Sequence, residues 1–137
     1  MALHSEIMSL HRYFIWADRM RVLALDLLGQ GHGNAADALF LHPYFFYWYA
    51  GSYVVIEGWR ELDLHDAVID DLLSTKAYVE ALRLHRNGAY QFQPTYFAEK
   101  VIGFVSEAGS AEWIHKLQQA FSSWFLAYFE SHKGTGK

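Results

Sequence analysis

The chain has 137 residues, 53% of them hydrophobic and 18% aromatic, with two prolines, ten glycines and no cysteine. This is the length of one domain with ample apolar material for a core, and it excludes a disordered chain, a disulfide scaffold and a thiolate metal site. A formal net charge of -4 excludes a surface coated in positive charge, as a general nucleic-acid binder would have, and leaves Arg83, His85 and Arg86 as a local basic cluster.

From Leu3 to Leu28, apolar residues recur at Leu3, Ile7, Leu10, Phe14, Ala17, Leu25 and Leu28, one face of a long helix, with Arg21 on the same stripe. The opening MALHSEIMSLHRYF lacks the charged-then-apolar layout of a secretory signal. No apolar run reaches the ~18 residues of a membrane span, so a soluble, cytoplasmic chain without a membrane partner is expected. Gly29 ends the helix, and Gly29-Gln30-Gly31-His32-Gly33-Asn34 is a loop. Its glycine spacing imitates a nucleotide-binding turn, but that motif follows a strand, and a helix precedes this loop.

A second long segment, about 35–62, holds an aromatic block from His42 to Trp59 in which Pro43 kinks the segment or starts a new helix. Trp48, Ser52, Val55 and Trp59 mark one face; Phe46, Tyr49, Tyr53 and Glu57 mark the other. A helix aromatic on both sides is buried on both sides, at the centre of a bundle or between subunits. Gly51 and Gly58 each weaken such a helix by ~1 kcal/mol relative to alanine, which points to a closely packed neighbour.

Asp66–Leu73 predicts a short helix, and Ser74 or Thr75 caps the next one, which carries Leu84-His85-Arg86-Asn87-Gly88-Ala89-Tyr90-Gln91. Gly88 and Pro94 bracket its end. Pro94 suits the first turn of a further helix to about Glu107, with Tyr96, Phe97, Val101, Phe104 and Val105 apolar. Gly109 breaks that helix and Ser110 caps the last, whose face is Trp113, Leu117, Ala120 or Phe121, Trp124 and Tyr128. Residues 132–137 form a polar, disordered tail. The expected product is a single-domain, all-α helical bundle of about four to six helices over residues 1–131.

Val79, Leu82, Arg86 and Tyr90 fall three or four apart, which sets Arg86 within an apolar stripe. A guanidinium keeps its charge, so it needs an acid, a backbone carbonyl, a second subunit or an anionic ligand there, or it snorkels to the rim. Glu57, among the aromatics, is an acceptor for Arg86 or Arg21; Arg60 is its other candidate partner.

At Arg86-Asn87-Gly88-Ala89-Tyr90-Gln91, followed by Phe92 and Pro94-Thr95-Tyr96-Phe97, the chain resembles the HEPN superfamily, dimeric helical bundles of toxin–antitoxin, abortive-infection and other RNA-targeting systems. The signature there is an arginine, then a polar residue, often asparagine, and a histidine a helical turn or so further on. Arg86 and Asn87 match it, and Gln91 stands in the histidine's place. The resemblance implies a homodimer with the Arg86 region at its seam, RNA as ligand, a cognate antitoxin protein as partner, and cleavage without metal or cofactor. Arg86, Asn87 and Gln91 then hold the catalytic positions, and His85, Tyr90 and Glu57 the substrate-binding ones.

Cleavage through the 2′-hydroxyl needs a proton acceptor of near-neutral pKa and a cation on the phosphate. Arg86 suits the second role, whereas the Gln91 amide does not titrate, so a degenerate ribonuclease motif with weak or no cleavage is expected. On a helix His85 points about 100° away from Arg86, and His65 or His115 would have to arrive from elsewhere.

Eight histidines also raise a metal site. Glu112-x-x-His115 has the spacing of half a carboxylate di-iron site but has no second copy, and His4 and His11 offer two ligands to zinc or nickel. Tyr13-Phe14-Ile15-Trp16-Ala17-Asp18 is similar to the first helix of DinB-like metalloproteins, which implies a histidine-dependent metal-binding bundle as the alternative; a non-catalytic dimeric interaction module is another. Trp16, Trp48, Trp59, Trp113 and Trp124 fall on or beside apolar stripes, as core or subunit packing or as stacking platforms for unpaired bases.

Overall fold

The computed structural model describes residues 2–29, 43–94 and 99–133. Within them the chain is an all-α bundle of six helices: α1 (Ala2–Gly29), α2 (Pro43–Glu61), α3 (Ala67–Leu73), α4 (Lys76–Ala89), α5 (Glu99–Ser106) and α6 (Ser110–Ser131). The rest of the glycine loop after Gly29, the stretch 35–42, Tyr96, Phe97 and the tail from 134 lie outside the described residues, as do the side chains of Leu28 and Val101.

Local chemistry sets the helix ends. Pro43 opens α2, where its missing N–H removes no intrahelical bond. Asp66 adopts an extended backbone before α3, and its carboxylate accepts from the Val68 and Ile69 amides at 3.1 Å each. Thr75 holds the cap position of α4 without a side-chain cap bond, and the Ser74 hydroxyl donates back to the Asp71 carbonyl. Ser110, expected as the cap of α6, is instead its buried first residue. Gly109 takes the cap position in left-handed backbone with φ 81°.

α2 lies between α1 and α4 and packs on both. Trp48, Val55 and Trp59 are buried on one side, Tyr49 and Tyr53 on the other. Burial pushes the Tyr49 phenol up to about 12. The two glycines are where α1 comes close: a Cβ at Gly51 would stand 3.0 Å from the Ala17 Cβ, and one at Gly58 2.5 Å from the Leu10 Cδ1.

The buried line of α1 is Ile7, Leu10, Ala17 and Ala24, with Phe14 partly covered. Leu3 and Leu25, expected on that line, are 50% and 40% exposed; Ala24 takes the core position beside Leu25. Arg21 is satisfied within its own helix: Nε donates to Asp18 Oδ1 at 2.7 Å, and Gln118 Nε2 on α6 donates to the same oxygen at 3.0 Å. Trp16 departs from the other tryptophans. It is 54% exposed, with the Arg12 guanidinium 5.3 Å from its ring centre.

α6 buries Trp113, Ile114, Leu117, Phe121 and Phe125. Phe14 packs against Phe121 and Phe125, and His11 against Phe125 and Phe129; burial lowers the pKa of His11. Near its end, His4 Nδ1 lies 2.7 Å from the Tyr128 hydroxyl, and His132 stacks on Tyr128 with ring centres 4.1 Å apart. Two indole N–H groups hold α3: Trp59 donates to Asp70 Oδ1 at 3.3 Å, and Trp113 to the Leu72 carbonyl at 2.9 Å. No helix among the described residues is long and apolar enough to cross a membrane.

Substituting Gly58→Val drives branched carbon into the buried Leu10 side chain. We expect a loss of about 1–3 kcal/mol, beyond what improved helix propensity returns, measured by urea unfolding. Unchanged stability would mean that α1 does not rest on this glycine.

Candidate functional site

α4 turns Val79, Leu82, His85 and Gly88 toward the core. This line advances three residues at a time and passes through His85, so the stripe drawn from sequence through Arg86 and Tyr90 is corrected: both sit off the buried face. Arg86 lies at the rim with its side chain 23% exposed, facing α2.

Its contacts are specific. Nη1 donates to Glu57 Oε1 at 3.1 Å and Nη2 to Glu57 Oε2 at 3.4 Å, a two-point pairing of guanidinium and carboxylate. Nε donates to Asn87 Oδ1 at 2.9 Å, and the guanidinium carbon lies 4.9 Å from the Tyr53 ring centre. Of the partners open to Arg86 on sequence grounds, the acid on the facing helix meets it. Glu57 itself is 50% exposed and also borders an open groove between α1 and α2 with Glu6, Ser9, Tyr13 and Glu61.

The other expected site residues divide. His85, placed by sequence among the substrate-binding residues, is fully buried. An imidazole nitrogen lies 2.9 Å from the Phe46 carbonyl, and the ring packs edge-on against Phe46 and Tyr49. That imidazole fastens α4 to α2 and does not reach solvent. Arg83 pairs with Glu80 at 2.9 and 2.6 Å, holding the Glu80 carboxyl below its ordinary range. The local basic patch is therefore not formed: each arginine faces an acid and the histidine between them is buried.

Asn87 and Gln91 are not a helical pair, because α4 ends at Ala89. Gln91 is exposed past the helix end, and its carbonyl accepts from Gln93 Nε2 at 3.1 Å. Tyr90 and Phe92 stand out into solvent, 65% and 89% exposed, and the ring of Tyr47 on α2 lies 6.1 Å from that of Tyr90. Sequence reasoning missed Tyr53 and Tyr47 as neighbours of the motif. The signal for Tyr53 was its place one helical turn before Glu57 on the same face of α2.

Among the described residues, the remaining histidines lie apart from Arg86. His65 follows α2, with Nε2 2.9 Å from Asp63 Oδ1 and Nδ1 3.2 Å from Asp70 Oδ2. It borders a groove with Lys76, at the start of α4, and Arg86 is about 15 Å further along that helix. His115 is exposed on α6, where Glu112 pairs with Lys116 at 3.1 Å. His4 and His11 face aromatic rings of α6. The described residues contain no group of three or more His, Cys, Asp or Glu side chains placed to hold a metal ion. No family model, curated protein or solved structure matches the chain.

The hydrogen bonds to Asp63 and Asp70 raise the His65 pKa above 6.5. At Asp70 burial acts upward, but hydrogen bonds from Trp59, His65 and the Asp66 amide outweigh it and lower the carboxyl. A histidine whose pKa is raised on folding contributes stability that is complete below its unfolded value and is lost as pH rises through the folded one. The melting-temperature advantage of wild type over His65→Ala is thus expected to be largest at about pH 5–6, where the imidazole is charged and its carboxylate partners are ionised, and to shrink as pH rises above the ordinary histidine value. A difference independent of pH would show that packing alone is at work.

Proposed function

We propose that this chain is an RNA-associated helical protein of the HEPN type, working in a toxin–antitoxin or defence setting, with a ribonuclease motif degraded to little or no cleavage. It acts as a symmetric dimer whose seam runs along the Arg86 end of α4, and a cognate antitoxin protein is the partner such a system implies. One observation carries the reading: a cation oriented on three sides, by Glu57, Asn87 and Tyr53, stands at the rim of the core, four residues before exposed Tyr90 and six before exposed Phe92. Arginine at such a rim suits a phosphate oxygen pair, and exposed aromatic faces a few residues on suit unpaired bases. The weakness of cleavage follows from Gln91 and from the burial of His85, which together leave Arg86 without a titrating neighbour from the motif.

The second reading, a non-catalytic dimeric interaction module, is favoured by the outer face of α1, where Met8, Ile15, Trp16 and Val22 are all roughly half exposed. A dimer through that face would leave Arg86 open in each protomer, which separates the two readings.

The deciding assay follows degradation of unstructured RNA by wild type, Arg86→Ala and Gln91→His. Wild type is expected to be nearly inactive, Arg86→Ala inactive, and Gln91→His to gain at least about tenfold, short of the ~10²–10⁴ that a fully positioned general base supplies. Identical behaviour of all three would detach the motif from any ribonuclease ancestry.

A further inference from the structure

An arginine that grips a phosphate in two-point fashion needs a pair of parallel N–H groups free to donate. In Arg86 both terminal nitrogens already donate to the two oxygens of Glu57, at 3.1 and 3.4 Å. Nε is engaged by Asn87 and one face by Tyr53. The carboxylate thus sits where two phosphate oxygens would sit. Building on the reading of Arg86 as a phosphate contact, we infer that Glu57 is an internal stand-in for that phosphate, and that Arg86 accepts a nucleic-acid anion only by exchanging Glu57 for it.

The geometry allows the exchange. Glu57 is half exposed and is free to swing into solvent, whereas Asn87 and Tyr53 keep the guanidinium oriented after it leaves. The surroundings also oppose the exchange for weak ligands. Glu6 and Glu61 border the same groove as Glu57, so a released Glu57 joins two like charges and is driven back toward the arginine. Those carboxylates repel an anion arriving from the end of α2. Toward its start, the approach runs past Tyr47 and Tyr90 instead. A free phosphate ion replaces one anion by another and gains little. An oligonucleotide adds base stacking on the exposed rings and tips the balance. Glu57 is on this account a positioning residue that sets a threshold, favouring a ligand with phosphate and bases together over phosphate alone.

The test measures binding of a fluorophore-labelled, unstructured RNA by anisotropy, with inorganic phosphate as competitor, for wild type, Glu57→Gln, Glu57→Ala, Arg86→Ala and Glu57→Gln combined with Arg86→Ala. Thermal melts of each variant accompany the titrations. Both Glu57 variants are expected to bind RNA roughly three- to tenfold more tightly than wild type, with a steeper salt dependence, although they melt lower. They should also become sensitive to inorganic phosphate, and the double variant should match Arg86→Ala. A pair that served structure alone would lower the melting temperature without tightening binding. If Arg86→Ala weakens binding while both Glu57 variants bind like wild type or worse, the stand-in role is overturned and the phosphate contact survives. If RNA binding is absent throughout or indifferent to Arg86, the phosphate contact falls and this inference falls with it.

Discussion

Large buried rings line two sides of α2, while Tyr47 and Glu57 remain on its exposed side. Its position between α1 and α4 is the constraint from which the remaining packing follows. The glycine edge admits α1 at contact distance, because Gly51 and Gly58 leave room for Ala17 and Leu10. Tyr49 and Tyr53 on the opposite edge receive α4. The tryptophan at its end reaches α3 through Asp70, and α3 in turn is held by Trp113 of α6. Large side chains on α2 thus supply buried area, and its two smallest ones supply the close approach that makes the area usable.

Arg86 owes its place to the same arrangement. His85 is locked between Phe46 and Tyr49 with a hydrogen bond to a backbone carbonyl, which fixes the rotation of α4 about its axis. One residue on, the helix has turned by about 100°, and the guanidinium emerges at the rim opposite Glu57. A buried histidine and a half-covered arginine are two results of one rotation. Held by acid, amide and ring together, the guanidinium has one fixed orientation at the rim.

Much of this was legible in the sequence. Pro43 and Gly109 marked helix boundaries because each has a backbone property that few other residues share; the short helix was legible too, although Asp66, read as its first residue, is its cap. The two-sided burial of α2 was legible from rings spaced at both helical phases, and the close approach of α1 from glycines placed within them. The pairing of Arg86 with Glu57 was one of several open choices, and nothing in one sequence ranks contacts between residues on different helices. The stripe of α4 was misjudged by a single position. A spacing of three, four and four through Arg86 and one of three, three and three through His85 are both helical, and a histidine is a plausible core or surface residue. Only the carbonyl of Phe46, on another helix, decides between them. Ser110 was misread for a related reason: serine is a common cap, but glycine alone accepts the left-handed turn next to it without strain.

The contact between His4 and Tyr128 joins positions 124 residues apart. The other principal contacts, α1 on α2, α2 on α4 and α4 on α5, join helices that are neighbours or near-neighbours along the chain. Closure of so long a loop loses chain entropy before its contacts return anything. The first and last helices of the bundle thus meet across nearly the whole length of the chain, whereas the arginine is held between α2 and α4.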